Sequence, residues 1–563
     1  MGNKEQRPNI LWISLEDTSP RFGCYGDSLA RTPHIDRLAQ EGVLYRNAFA
    51  TAGVCAPSRS SIITGMYPTA IGAQHMRTEH VNKSTPELPT PYSTVPPAHV
   101  KLIPEMLRAN GYYCTNNSKT DYQFQAPLTA WDENGMAAHW RNRESGQPFF
   151  AVFNYDDTHE NKMWPPKSIE QMLERLEMED ENQFAPARAF FESALKEKPL
   201  ITDPDQVVLP PYLPDTPATR RALARHYDNL ADADAFVGRI LEQLEEDGLS
   251  DNTIVMLWSD HGEGLPRAKR WTYDAGIRVP LIVRSPGETE AGKVNDQLIS
   301  LIDLGPTVLS LAGVPVPRYL HGRPFLGEHS EPREYIFATR DRYDESYDKV
   351  RAVRDNQYKY IRNDYPDQPY LQWIPFSHFH PAYQELKRLQ LAGTLTDEQH
   401  ALLQNRRPPE ELYDCMNDPH ELNNLAEDPD HREQLLRLRK VLDEWCERYD
   451  VWGDIPEAQM VQTMWPNLIQ PQTAKPLIIP INDKLPGLMP MQEGTFTGPA
   501  EIVLHSATQG ASIAYTLEDS PNPRWELYTG PIILTGGHVQ IRAIAVRIGY
   551  KDSDISEAIF NVQ

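Results

Sequence analysis

Three short apolar runs, each stopped abruptly by acidic or imidazole side chains, constrain this chain more than any other feature. Asn9–Leu15 (N-I-L-W-I-S-L) runs into Glu16 and Asp17, residues 148–155 (P-F-F-A-V-F-N-Y) into Asp156, Asp157 and His159, and Thr253–Ser259 (T-I-V-M-L-W-S) into Asp260 and His261. A short run that is apolar throughout reads as a strand buried on both faces, the pattern of a parallel sheet covered by helices. Between the second and third runs, residues 217–247 carry Leu223, Tyr227, Leu230, Val237, Leu241 and Leu244 at helical spacing, with Pro217 suited to a first turn and Thr216 or Asp215 to its cap. Strands alternating with helices predict an α/β fold built on a large, mixed but mainly parallel sheet.

The ends of parallel strands share one edge of such a sheet, and ligands bind there. The three polar clusters are therefore expected to converge. Glu16, Asp17 and Asp260 offer hard carboxylate oxygens suited to calcium or magnesium, and His261 adds a less typical ligand. Residues 54–65 (V-C-A-P-S-R-S-S-I-I-T-G) carry a second signal. Pro57 fits a first helical turn and Gly65 a helix end. Cys55 then sits at a helix N-terminus, where free amides favour an anion or a lowered thiol pKa. Arg59, one turn later, points its fork at the same anion.

The C-A-P-S-R segment resembles the C-x-P-S-R signature of the type I sulfatases, whose cysteine is converted after translation to formylglycine. The resemblance spans roughly residues 8–450, through T-P-H-I-D-R-L-A-x-E-G-V, S-D-H-G-E, G-I-R-V-P-L-I-V-R-S-P and E-L-Y-D-C-M-N-D-P-H-E-L-N-N-L-A. It implies a sulfuric ester hydrolase of the alkaline phosphatase superfamily, with helices on both faces of its sheet. Cys55 would be the formylglycine precursor, matured by a formylglycine-generating or sulfatase-maturating enzyme, and Glu16, Asp17, Asp260 and His261 the calcium ligands. Arg59 and Lys119 would hold the sulfate, and His159 and Lys269 the leaving-group side. The chain departs from the family pattern twice. The first carboxylate is Glu16 where the family usually has Asp, and Lys119 is followed by Thr120 and Asp121, so an expected imidazole is absent and Asp121 is expected to face the nucleophile instead.

Residues 207–234 (V-V-L-P-P-Y-L-P-D-T-P-A-T-R-R-A-L-A-R-H-Y-D-N-L-A-D-A-D) are similar to the heparan N-sulfatase (N-sulfoglucosamine sulfohydrolase) branch and its bacterial relatives, which implies a sulfated saccharide as substrate. Arg340, Arg342, Arg351 and Arg354, with His378 and His380, fall after the sheet. They are read either as a grip on further anionic groups of that saccharide or as ordinary surface charge. Two other readings stay open: a phosphonate monoester or phosphodiester hydrolase of the same superfamily, and a catalytically silent carbohydrate-binding protein.

The rest of the chain bounds these readings. With 563 residues, at roughly 100–200 per domain, three or four domains are expected. The catalytic domain is read as 1–335, a smaller α+β subdomain as 336–454 with a helix over 429–449, and a proline-rich strap as 455–498. A small all-β sandwich over 499–563 resembles the chitobiase-type C-terminal domain. A net charge of −24 argues against nucleic-acid binding, so an anionic substrate needs a local basic pocket. Five scattered cysteines make neither a disulfide scaffold nor a C-x-x-C metal site. No run is long enough to span a membrane. The polar residues 1–8 show no secretory signal, so the protein is expected to be periplasmic or secreted with its signal absent from this sequence, or else cytoplasmic.

Overall fold

The computed structural model describes residues 7–179, 188, 191, 195, 198–287 and 290–563, so most of the stretch read for a signal lies outside it. The main sheet has eight strands: β1 (Asn9–Leu15), β2 (Val43–Phe49), β3 (Tyr113–Asn117), β4 (Glu133–Asn134), β5 (Phe149–Tyr155), β6 (Thr253–Ser259), β7 (Arg278–Arg284) and β8 (Val294–Ser300). Their order is β4-β3-β5-β1-β6-β7-β2-β8, with β7 antiparallel to both neighbours.

Alternation along β1 explains why it is apolar at nearly every position. Ile10 and Trp12 enter one core with Ile62 and Ile63 of the helix Cys55–Thr64, while Leu11, Ile13 and Leu15 enter the opposite core with Leu223, Leu230 and Val237 of the helix Pro217–Glu246. Each such fully buried Leu or Ile contributes about 1.5–3 kcal/mol. Thr216 caps the longer helix by accepting the Thr219 amide, and Pro217 occupies its first turn. The register sets the site: Leu15 pairs with Tyr155 on one side and Ser259 on the other, so residues 16, 156 and 260 leave the sheet side by side.

A second, antiparallel sheet, β12-β11-β10-β9 (Glu410–Asp414, Tyr358–Asn363, Val350–Arg354 and Ile336–Arg340), packs against the helix Arg432–Tyr449 through Val353, Tyr360, Leu435, Leu438, Leu442 and Trp445. The C-terminal β domain has two sheets around Ile502, Ile541 and Phe560. Its lower boundary differs from expectation. Residues 455–498 are not an extended strap: they carry the helix Glu457–Met464 and two strands of the β domain, β13 (Leu477–Ile481) and β14 (Glu493–Phe496). Proline misleads here because β13 is an edge strand, where Pro480 costs no ladder hydrogen bond.

Candidate active site

The strand ends do converge. Glu16 donates its amide to the Tyr155 carbonyl at 3.2 Å, and the Asp260 amide donates to the Leu15 carbonyl at 3.3 Å, which extends the ladder one step past the strands. Asp17 then turns into the left-handed region (φ 45°), a costly conformation for a non-glycine residue, and its amide donates to Asp260 Oδ1 at 3.2 Å. The Asp17 carboxylate receives Lys269 Nζ at 2.7 and 2.9 Å and the Glu160 amide at 2.7 Å. Its Oδ1 also lies 3.1 Å from His261 Nε2.

Cys55 begins its helix, and Gly65 (φ 67°) ends it in the left-handed turn that glycine allows. The Cys55 Sγ lies 3.3 Å from His261 Nε2 and 4.0 Å from Asp17 Oδ1. Arg59 is held on three sides: Nε donates to Asp260 Oδ2 at 3.0 Å, Nη1 to Asn154 Oδ1 at 3.0 Å and Nη2 to Ser14 Oγ at 3.2 Å. Ser14 and Asn154 are register partners on β1 and β5, and they interrupt otherwise apolar runs. That interruption was the available signal for them.

Lys119 reaches in from the loop after β3 to place Nζ 2.5 Å from Glu16 Oε1. Asp121 lies at the rim, 3.8 Å from Lys119 Nζ and partly exposed. His159 is buried, with Nδ1 2.5 Å from Asn161 Oδ1 and Nε2 3.2 Å from Lys269 Nζ. Three carboxylates thus face three cations. Burial works against Glu16 and Asp17 as anions, yet Lys119 and Arg59 for the first, and Lys269 with the two histidines for the second, hold both carboxyls well below the usual range. Burial pushes the Cys55 thiol well above its ordinary value, so the lowered pKa expected at the helix N-terminus does not occur: loss of water outweighs the dipole and Lys269.

The donor set fits a hard divalent cation. Ligand atoms of Glu16, Asp17, Cys55 and His159 lie within 4.8 Å of one another, as do those of Cys55, Asp260 and His261, so the four expected ligands ring Cys55. Glu16 Oε2 is buried and receives no hydrogen bond among the described residues, an acceptor left open toward this cluster.

Glu160 escaped sequence reasoning. It is buried next to His159, takes both Arg270 Nη atoms at 2.8 and 3.1 Å and sits 3.1 Å from Lys269 Nζ. Its only signal was its place beside His159.

The arginines expected to grip a saccharide do not face one. Arg340 is buried against Asp348 at 3.2 Å and Gln372 at 2.7 Å, and Arg342 against Glu457 at 2.6 and 2.7 Å. Arg351 bridges Asp341 and Asp450, each at 2.9 Å, and Arg354 pairs with Asp274 at 3.2 Å. His380 is buried, and its Nδ1 accepts the Ala382 amide at the start of the helix Pro381–Ala392. His378 lays its ring 4.3 Å from that of Tyr383. Arg340, Arg342 and Arg354 also tie the second sheet to the catalytic domain, through the Arg270 carbonyl, the Met76 carbonyl and Asp274.

The five cysteines are unpaired, and among the described residues no helix is long and apolar enough to cross a membrane.

Three family models match: Sulfatase over residues 8–314, N-sulphoglucosamine sulphohydrolase, C-terminal, over 262–373, and Chitobiase/beta-hexosaminidase C-terminal domain over 491–557. An ulvan-active sulfatase of Formosa agariphila is 42% identical over 559 residues, covering 97% of this chain and 90% of the relative. Human N-sulphoglucosamine sulphohydrolase is 28% identical over 511 residues, covering 83% and 95%. A structure solved in complex with its substrate D-glucosamine-2-N,6-O-disulfate aligns over 80% of this chain and 99% of its own, with TM-score 0.54 and 19% identity, a likeness of fold.

Proposed function

Because the chain belongs to the sulfatase family, and so is a sulfuric ester hydrolase of the type I group, we propose that it removes sulfate from a sulfated polysaccharide or its oligosaccharides, ulvan being the leading candidate. We further propose that Cys55 is the residue converted to formylglycine, and that Glu16, Asp17, Asp260 and His261 hold calcium. The observation that carries this reading is the placement of Cys55 Sγ at 3.3 Å from His261 and 4.0 Å from Asp17, with Arg59, Lys119 and Lys269 closing the same chamber.

A hydrated aldehyde at position 55 supplies two hydroxyls on one carbon, and calcium supplies charge neutralisation beside them. The chain's own residues do the rest. Arg59 cannot swing away, because Asp260, Asn154 and Ser14 fix its fork, so it presents an oriented charge to a sulfate. Lys119 offers a second charge beside it, on the other oxygen of Glu16. On the leaving-group side, burial and then Lys269 depress the basicity of His159, so the imidazole is neutral at pH 7. Its Nδ1 faces Asn161, whose amide it accepts at 3.4 Å and whose Oδ1 lies 2.5 Å away, and its Nε2 lies 3.2 Å from Lys269 Nζ. Asp17 and Glu160 hold Lys269 as a cation, so the lysine and the imidazole together line the side from which a departing sugar oxygen needs a proton.

Action outside the cytoplasm, where such polymers are met, is part of this proposal, as is maturation of Cys55 by a separate enzyme. Purified, matured protein should hydrolyse 4-nitrophenyl sulfate and ulvan oligosaccharides in preference to a phosphodiester or a phosphonate monoester. Preference for the phosphorus substrates would overturn the assignment, and binding without turnover by fully matured protein would favour the carbohydrate-binding reading.

A further inference from the structure

Next to the catalytic chamber lies an open cavity lined by Arg77, Arg175, Asp344, Glu345, Met172 and Phe376. Phe376 is its shared wall. Its ring lies 6.0 Å from that of His159 on one side, and the Arg77 guanidinium stands 4.9 Å over it on the other. Asp344 also connects to the chemistry through charge: Arg270 Nε is 3.6 Å away, and Arg270 clamps Glu160, which touches Lys269.

The arginines of the lining are committed to acids: Arg77 to Asp344, Arg175 to Glu345 and Arg342 to Glu457. Asp344 is 5% exposed, and among the described residues neither carboxylate oxygen receives a well-aligned hydrogen bond; Arg77 Nε lies 2.5 Å from Oδ1 and Arg270 Nε 3.6 Å from Oδ2 as charge partners. Glu345 Oε1 accepts from Arg175 at 2.9 Å and Asn82 at 3.1 Å, while the buried Oε2 has no hydrogen-bond partner among the described residues. Buried carboxylate oxygens are ordinarily satisfied, so two side chains with open acceptors on one cavity point to a ligand rich in donors. Arg77 (φ 57°) and Asp344 (φ 50°) both adopt the left-handed backbone region. Strain of that kind in non-glycine residues concentrates at binding sites. Arg175 also stands 5.9 Å over the ring of Trp373, which is 51% exposed and offers an apolar surface suited to the C–H side of a sugar.

We propose that this cavity is a sugar-hydroxyl subsite, in which Asp344 and Glu345 accept hydrogen bonds from hydroxyls of the saccharide whose sulfate lies at Cys55, and Arg77 orients Asp344. The ligand is a hydroxyl-rich neutral face rather than a second anion, because Arg77, Arg175 and Arg342 are already neutralised by Asp344, Glu345 and Glu457, and what stays open is carboxylate acceptors. The inference rests on the sulfatase reading above and goes beyond it by naming what selects the sugar.

The test has two arms. In matured protein, the ratio of kcat/KM for ulvan oligosaccharides to that for 4-nitrophenyl sulfate, which has no hydroxyl, is compared across wild type, Asp344→Asn and Glu345→Gln. The ratio should fall roughly ten- to a hundredfold in Asp344→Asn and in the same direction in Glu345→Gln; Glu345→Gln carries the arm alone if Asp344→Asn does not fold. In the second arm, calorimetry measures binding of chemically desulfated ulvan oligosaccharides to Cys55→Ser protein with and without Asp344→Asn, which needs no turnover. Weaker binding is expected in the Asn variant. An unchanged ratio in the folded variants, absent binding to Cys55→Ser protein, or tighter binding on loss of the carboxylate would overturn the subsite. Failure of wild type to hydrolyse 4-nitrophenyl sulfate would instead count against the hydrolase reading.

Discussion

Lys119 Nζ lies 2.5 Å from Glu16 Oε1, so the first carboxylate after β1 spans the gap to the loop after β3. The Glu that departs from the family's usual Asp has a function in this geometry: its extra methylene lets one oxygen meet Lys119 while the other stays buried without a hydrogen-bond donor.

This pair yields a stability prediction. Lys119→Ala strands the buried Glu16 carboxylate, and breaking a buried pair costs about 3–5 kcal/mol. Adding Glu16→Gln should recover much of that loss, while activity stays absent in both proteins. Thermal melts of the two single variants and the double variant measure the coupling. Additive losses would show that the contact carries no energy.

Acid sensitivity should originate partly in His226. It is fully buried, and neither ring nitrogen has a hydrogen-bond partner among the described residues. Burial lowers its pKa from 6.5 to about 4. The sign follows from proton counts: between these values the unfolded chain binds a proton that the folded chain refuses. Stability from this group is therefore complete above pH 6.5, declines toward pH 4 and then levels off, a loss on the order of 3 kcal/mol. His226→Gln should flatten that part of the melting-temperature profile; an unchanged profile would assign the sensitivity elsewhere.

Truncation should depend on where the cut falls. Removing residues from 499 onward strips β13 and β14 of their partners and exposes Ile478 and Phe496, so that protein should aggregate. A chain ending at Leu468 keeps Glu457, the partner of Arg342, Tyr92 and Tyr347, and should fold and hydrolyse 4-nitrophenyl sulfate. Light scattering and activity of the two truncations distinguish them, and the reverse order of solubility would contradict the assignment of β13 and β14.

How much of this could be read from the chain depended on whether a residue acts through its neighbours in sequence or through distant partners. The strands at Asn9 and Thr253 and the helix at Cys55 announce themselves because burial, caps and turns are local. Convergence of Glu16, Asp17, Asp260 and His261 was legible because parallel strand ends must share an edge. Arg342 was misread because its partner, Glu457, lies 115 positions away, and a sequence does not show which acid an arginine will meet. Asp344 gave no signal at all. Its open oxygens follow from a turn whose geometry depends on Arg77 and Arg270, from two other parts of the chain.

The central claim is that residue 55 acts as an aldehyde and not as a thiol. Its most direct test is mass spectrometry of the peptide bearing Cys55, taken from preparations matured to different extents and assayed for turnover of 4-nitrophenyl sulfate. Turnover per molecule should rise in proportion to the fraction converted from thiol to aldehyde, and Cys55→Ser, a near-isosteric change at the first residue of the helix, should fold normally and show none. Full turnover by protein whose Cys55 remains an unmodified thiol would contradict the account.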